Sequence, residues 1–154
     1  MQGLFFSRGP ATALVTVVAA LVFFAGSAHA SDDEAVRAAA LDYAEGWYAG
    51  DAERLAQVLH PEAVKRRVVK DVITGEERVN VLGAEDLLRG AREGVGKEPG
   101  GPVRLRVAVL DQHGDMAVAR VVSMLYVDYL QLVRWNGRWV VLSVIWGTIE
   151  SPGE

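Results

Sequence analysis

The spacing of apolar residues changes period along the chain. Val36, Ala40, Tyr43 and Trp47 recur three or four residues apart, which predicts an amphipathic helix over Ser31–Ala49. Ser31 or Asp32 is placed to cap it, and Asp33 and Glu34 suit its positive end. Gly50 stops it. Asp51 is the expected cap of a second helix over Ala52–Leu59, which buries Leu55, Val58 and Leu59 and ends at His60-Pro61. Glu62–Asp71 reads as a strand, Thr74-Gly75 as a turn and Glu77–Leu82 as the returning strand. A third helix is expected over Ala84–Glu93, burying Ala84, Leu87, Leu88 and Ala91. Gly94–Pro102 is loop by composition. After it the period falls to two: Val103, Leu105, Val107 and Val109 alternate with polar residues. Gln112-His113-Gly114 turns, and Met116–Tyr126 is a second long strand that turns within Ser123–Tyr126.

The strongest local signal lies in Val127–Gly147, where Asn136-Gly137 separates two strand-like runs. A two-residue loop sets Trp135 opposite Arg138. With unbroken strands, Asp128, Leu130, Leu132 and Arg134 share a face with Trp139, Val141, Ser143 and Ile145. The opposite face carries Tyr129, Gln131, Val133 and Trp135 beside Val140, Leu142, Val144 and Trp146. Both faces are largely apolar, so each needs cover. Early helices and late strands make an α+β fold, in which the helices cover one sheet face. The other face, through Tyr129, Val133, Trp135, Val140, Leu142, Val144 and Trp146, is expected to form a homodimer with C2 symmetry.

The first 30 residues stand apart. Arg8, the apolar run Ala11–Ala25 and Ala28-His29-Ala30 form the pattern of a secretory signal peptide. Cleavage after Ala30 leaves a single domain of 124 residues, Ser31–Glu154, with no membrane association of its own. The apolar run is short of the roughly 20 residues a spanning helix needs. Export to the periplasm or beyond is the expected destination. Without Arg8 the domain has 15 basic and 20 acidic residues, which argues against nucleic acid as a partner. The chain has no Cys, so disulfides and thiolate zinc sites are excluded, and the scattered His residues give no metal-ligand spacing. No phosphate loop or G-x-S-x-G motif occurs, and no cofactor is implied.

Tyr43-Ala44-Glu45-Gly46-Trp47-Tyr48-Ala49-Gly50-Asp51, then Leu59-His60-Pro61-Glu62-Ala63, then Asp128-Tyr129-Leu130 ahead of Trp135-Asn136-Gly137-Arg138-Trp139, together resemble the NTF2-like superfamily. More narrowly they resemble its branch named Putative lumazine-binding. The resemblance covers essentially all of Ser31–Glu154. It implies a cone-shaped α+β barrel with N-terminal helices packed on a curved antiparallel sheet, often dimeric through that sheet. It does not imply one chemistry, because the superfamily includes isomerases, dehydratases, polyketide cyclases, ligand binders and association modules. The connection between the last two long strands is shorter than the usual pattern.

Asp128 is the sharpest candidate for chemistry. Its same-face neighbours are apolar, which disfavours the anion and suits a general acid or base. The superfamily's isomerase members use pocket carboxylates in this way. His60 is the candidate partner for Asp128, set against the alternative of a helix-end residue. Tyr43, Trp47, Tyr126, Trp139 and Ser143 are candidate ligand contacts, although aromatic stripes at helical spacing are usually core. Lys65 or Arg67 could turn inward and pair with Asp128, which would weaken its candidacy as a base. The leading expectation is an exported domain that binds a small, partly apolar molecule in its cone. The alternatives are an acid/base isomerase or dehydratase built on Asp128 with His60 or Tyr43, and an association module with a filled interior.

Overall fold

The computed structural model describes residues 16–97 and 104–149, with side chains from Asp32 onward. The chain divides into two compact units, Met1–Asp32 and Asp33–Glu154. Residues 1–15 of the leader segment, residues 98–103, which hold most of the expected Gly94–Pro102 loop and Val103, and the Ser-Pro-Gly-Glu tail lie outside the described residues. Among those described, no helix is long and apolar enough to cross a membrane.

Helix α1 runs Thr16–Ala49. Ser31 and Asp32 therefore lie within it and do not cap it. Val36, Ala40 and Tyr43 of the expected stripe are buried and Trp47 is half-buried, with Ala44 buried beside them. Gly50 adopts a positive φ of 70° and ends the helix. Asp51 caps α2 (Ala52–Val58) by accepting the Arg54 N–H at 2.9 Å. Arg54 reaches back to Asp42 at 2.7 Å and to Glu45, which ties α2 to α1. Helix α3 spans Ala84–Glu93 and buries Ala84, Leu87 and Ala91, together with Gly90.

The strands are β1 (Leu59–Lys70), β2 (Glu77–Gly83), β3 (Arg106–His113), β4 (Met116–Val122), β5 (Tyr126–Trp135) and β6 (Arg138–Thr148). They form one open six-stranded sheet in the order β2-β1-β6-β5-β4-β3. All neighbours are antiparallel except β1 and β6. Strand β1 starts directly after α2, so Leu59, expected as the end of the second helix, opens the strand, and His60-Pro61 lies within it. The core lies between one sheet face and the three helices, with Leu130, Leu132, Val141 and Val144 fully buried beneath α1 and α2 residues. The turn between β4 and β5 falls at Ser123–Leu125, where the Tyr126 carbonyl accepts the Ser123 N–H at 2.9 Å.

The Asn136-Gly137 turn has φ values of 50° and 76°, the two positive angles that a two-residue hairpin needs, and Trp135 pairs with Arg138. The register behind it is not unbroken. Leu132 pairs with Val141 but Gln131 pairs with Ser143, so Leu142 is an extra residue, a β-bulge. From that point β6 presents the opposite parity to that expected. Val144 and Trp146 turn toward the helices, and Ser143 and Ile145 turn outward. Val144 is 1% exposed and Ile145 64%. The predicted outer face is corrected accordingly: Val144 and Trp146 leave it, and Val140 is buried. Tyr129 and Trp135 remain exposed there, with Val133 and Leu142 half-buried.

Candidate functional site

Alternation along β1 turns Ala63, Lys65 and Arg67 toward the helix side, while Arg66 and Val68 stay exposed. Lys65 is only 7% exposed and Asp128 on β5 only 6%. The Lys65 Nζ lies 2.8 Å from Asp128 Oδ1. The approach is an ion pair by distance, but it is too oblique to give Asp128 Oδ1 a hydrogen bond. Lys65 Nζ also donates to the Tyr43 hydroxyl at 3.0 Å. Burial above all, and then the Asp128 charge, raise the Tyr43 phenol well above its ordinary value, so at neutral pH it is a neutral hydroxyl.

Aromatic rings surround this pair. The Lys65 ammonium lies 4.8 Å from the Trp146 ring centre, 5.5 Å from that of Tyr43 and 6.0 Å from that of Trp47. Arg67 stacks its guanidinium 4.1 Å from the Trp146 ring centre. Tyr126 meets Trp146 edge-on at 5.4 Å. The Tyr48 hydroxyl donates to Ser123 Oγ at 2.9 Å and ties the end of α1 to the β4–β5 turn.

Above the pair a cavity of about 220 Å³ opens. Its walls come from the end of α1 (Trp47, Tyr48), from Leu82 and Leu87, from the segment after α3 (Val95, Gly96, Lys97) and from Leu125, Tyr126 and Trp146. Lys65 and Asp128 form its polar part. The bulge at Leu142 is what brings Trp146 to this wall.

Of the predicted site residues, Trp47, Tyr126 and Asp128 line this cavity. Tyr43 stands behind it, buried and bonded to Lys65. Trp139 is buried in the core with Arg134 stacked 4.9 Å from its ring centre, and it does not line the cavity. Ser143 faces away, because the bulge reverses its parity. His60 sits by the hairpin tip, with its ring 4.7 Å from Trp135 and its Nδ1 accepting the Glu62 N–H at 3.1 Å. Seven residue steps along β5 separate Trp135 from Asp128, roughly 23 Å of strand. The expected Asp128–His60 acid/base pair is therefore not assembled. Lys65 is the partner of Asp128, and Lys97 is a cavity residue that the loop composition of its segment hid. Among the described residues no group of His, Asp and Glu could hold a metal.

Residues 31–147 match the family described as Putative lumazine-binding. No curated protein matches the chain. Among solved structures, an NTF2-like protein of unknown function from Shewanella baltica OS155 is similar over 79% of this chain and 97% of its own. Identity is 19% and the TM-score 0.62. A second NTF2-like protein of unknown function, from Silicibacter pomeroyi DSS-3, covers 80% and 98% at 17% identity and a TM-score of 0.61. A ketosteroid isomerase-like protein from Erwinia carotovora atroseptica covers 78% and 98% at 14% identity and a TM-score of 0.54. At these identities the likeness is one of fold.

Proposed function

The chain belongs to the Putative lumazine-binding family of the NTF2-like superfamily, and from there we propose that it is an exported domain that binds a small, partly apolar molecule in the cavity above Lys65 and Asp128. One observation carries the reading: a mostly apolar, aromatic-walled cavity closes on a buried ion pair. Few convergent polar groups on an apolar wall are the ordinary make-up of a small-molecule site. The volume suits a small ring system and not a drug-sized ligand. In the cone that the family resemblance implies, this cavity would be the mouth.

The acid/base alternative finds less support. A catalytic carboxylate must be free to take a proton from substrate. Asp128 instead faces an ammonium at 2.8 Å, and His60 is remote. We read the pair as a binding floor.

Export rests on the Arg8, Ala11–Ala25 and Ala28-His29-Ala30 pattern. Dimerisation rests on the open sheet face, where Tyr129, Trp135, Ile145 and Met116 are each more than two-fifths exposed. Native mass spectrometry of the protein, expressed with its own leader in its own host, addresses all three proposals. The expected spectrum is a dimer of chains starting at Ser31, carrying a small adduct that Trp146→Ala loses. A monomer would remove the interface, an N-terminus at Met1 the export. The absence of any adduct, or one indifferent to Trp146→Ala, would remove the cavity.

A further inference from the structure

The charges at this cavity do not cancel. Two lysines line it, Lys65 and Lys97, against one acidic residue, Asp128. Lys65 and Asp128 neutralise each other at 2.8 Å, which leaves the Lys97 ammonium in excess. Arg67 adds a second cation just behind the wall, stacked on Trp146 with its Nε buried and lacking a hydrogen bond. Among the described residues neither Lys97 nor Arg67 has an ion-pair partner. This excess sits in a chain whose net charge is −4, so the cavity is positive against the overall balance.

The position of Lys97 is built by glycines. A Cβ on Gly50 would meet Lys97 Cε at 2.5 Å, so the lysine stem lies in the space that Gly50 leaves open. A Cβ on Gly96 would meet Trp47 Nε1 at 2.5 Å, so the backbone just before Lys97 lies directly against the cavity's aromatic wall. The first approach seats the lysine stem against the end of α1, and the second sets the backbone before it against Trp47.

Resting on the cavity reading above, we propose that the ligand is a planar acid: its ring lies among Trp47, Tyr126 and Trp146, and its carboxylate pairs with Lys97. An anion there meets a cation without a partner, and charge-assisted hydrogen bonds are roughly twice as strong as neutral ones. A cationic ligand would meet three positive groups and one carboxylate already paired.

Isothermal titration with three ring-matched probes tests this: 2-naphthoate, 2-naphthamide and 2-naphthylmethylammonium. The protein is purified after expression with its own leader. The naphthoate is expected to bind about tenfold tighter than the amide, and the ammonium most weakly. Lys97→Gln, at an exposed position, should erase the preference for the acid, bringing the naphthoate to within about twofold of the amide. An amide that binds as tightly as the acid, or a preference that survives Lys97→Gln, would overturn the assignment while the cavity stands. If none of the three binds, the cavity reading fails with it.

Discussion

Replacing Lys65 by Met is expected to cost about 3–5 kcal/mol of folding free energy. The substitution keeps an unbranched apolar stem but leaves the Asp128 carboxylate, 6% exposed, without a counter-ion. The Tyr43 hydroxyl loses its donor in the same change. A domain of this length loses roughly 3–5 °C of Tm for each kcal/mol, so thermal unfolding should move down by about 10–20 °C. Asp128→Leu alone strands the ammonium instead and should be similarly harmful. The double variant Lys65→Met with Asp128→Leu removes both charges and should recover most of the loss, because the pair stabilises little against an apolar replacement. Urea unfolding of the four proteins closes the cycle and gives the coupling energy directly. A loss under about 1 kcal/mol for Lys65→Met would mean that water reaches the pair.

Val144→Lys is expected to cost at least about 4 kcal/mol, a large part of the roughly 5–15 kcal/mol that a domain has. Val144 is 1% exposed, pairs with Leu130 and stands next to Lys65 in the β1–β6 ladder. A second ammonium there is both desolvated and repelled. Ile145→Lys, one residue along, should leave the monomer within about 0.5 kcal/mol. It should also dissociate the proposed dimer, which analytical ultracentrifugation would read. An unbroken β6 predicts the reverse ranking, with position 145 inside and position 144 outside.

That contrast shows what could be read from the residues and what could not. The Asn136-Gly137 turn was legible because two positive φ angles are costly for most other residue pairs. The three helices were legible from their apolar spacing, the second also from Asp51 at its start, although α1 begins before Ser31, and the β1–β2 turn was legible from Thr74-Gly75. The bulge was not. Val140-Val141-Leu142-Ser143-Val144-Ile145-Trp146 is apolar at every position but one, so either parity buries the same kind of surface. Alternation can fix a face only where one set of positions is polar. Ser143 was the single clue: it now lies opposite outward-facing Gln131. The assignment of Trp146 to an outer face and of Ser143 to the site followed from that missed residue. Lys65 was visible as a possible inward charge, yet the run Lys65-Arg66-Arg67 gave no local reason to choose it. Only the pairing of β1 with β6, distant in sequence and parallel, brings it to Asp128. Lys97 was masked by its glycine-rich setting, where the same glycines that suggest a plain loop permit the close approach to Trp47. His60 failed for a simpler reason: strand β1 begins before it, so its side chain belongs to the hairpin tip.

The site as described stands on Trp146 lying beside Lys65, which requires the extra residue at Leu142. An isotope-edited NOE spectrum measures that proximity directly. Cross-peaks between the Lys65 side-chain methylenes and the Trp146 indole are expected, in keeping with the 4.8 Å from Nζ to the ring centre. Trp146 cross-peaks to Val127 and outer-face Tyr129, with none to Lys65, would contradict the register and the cavity built on it.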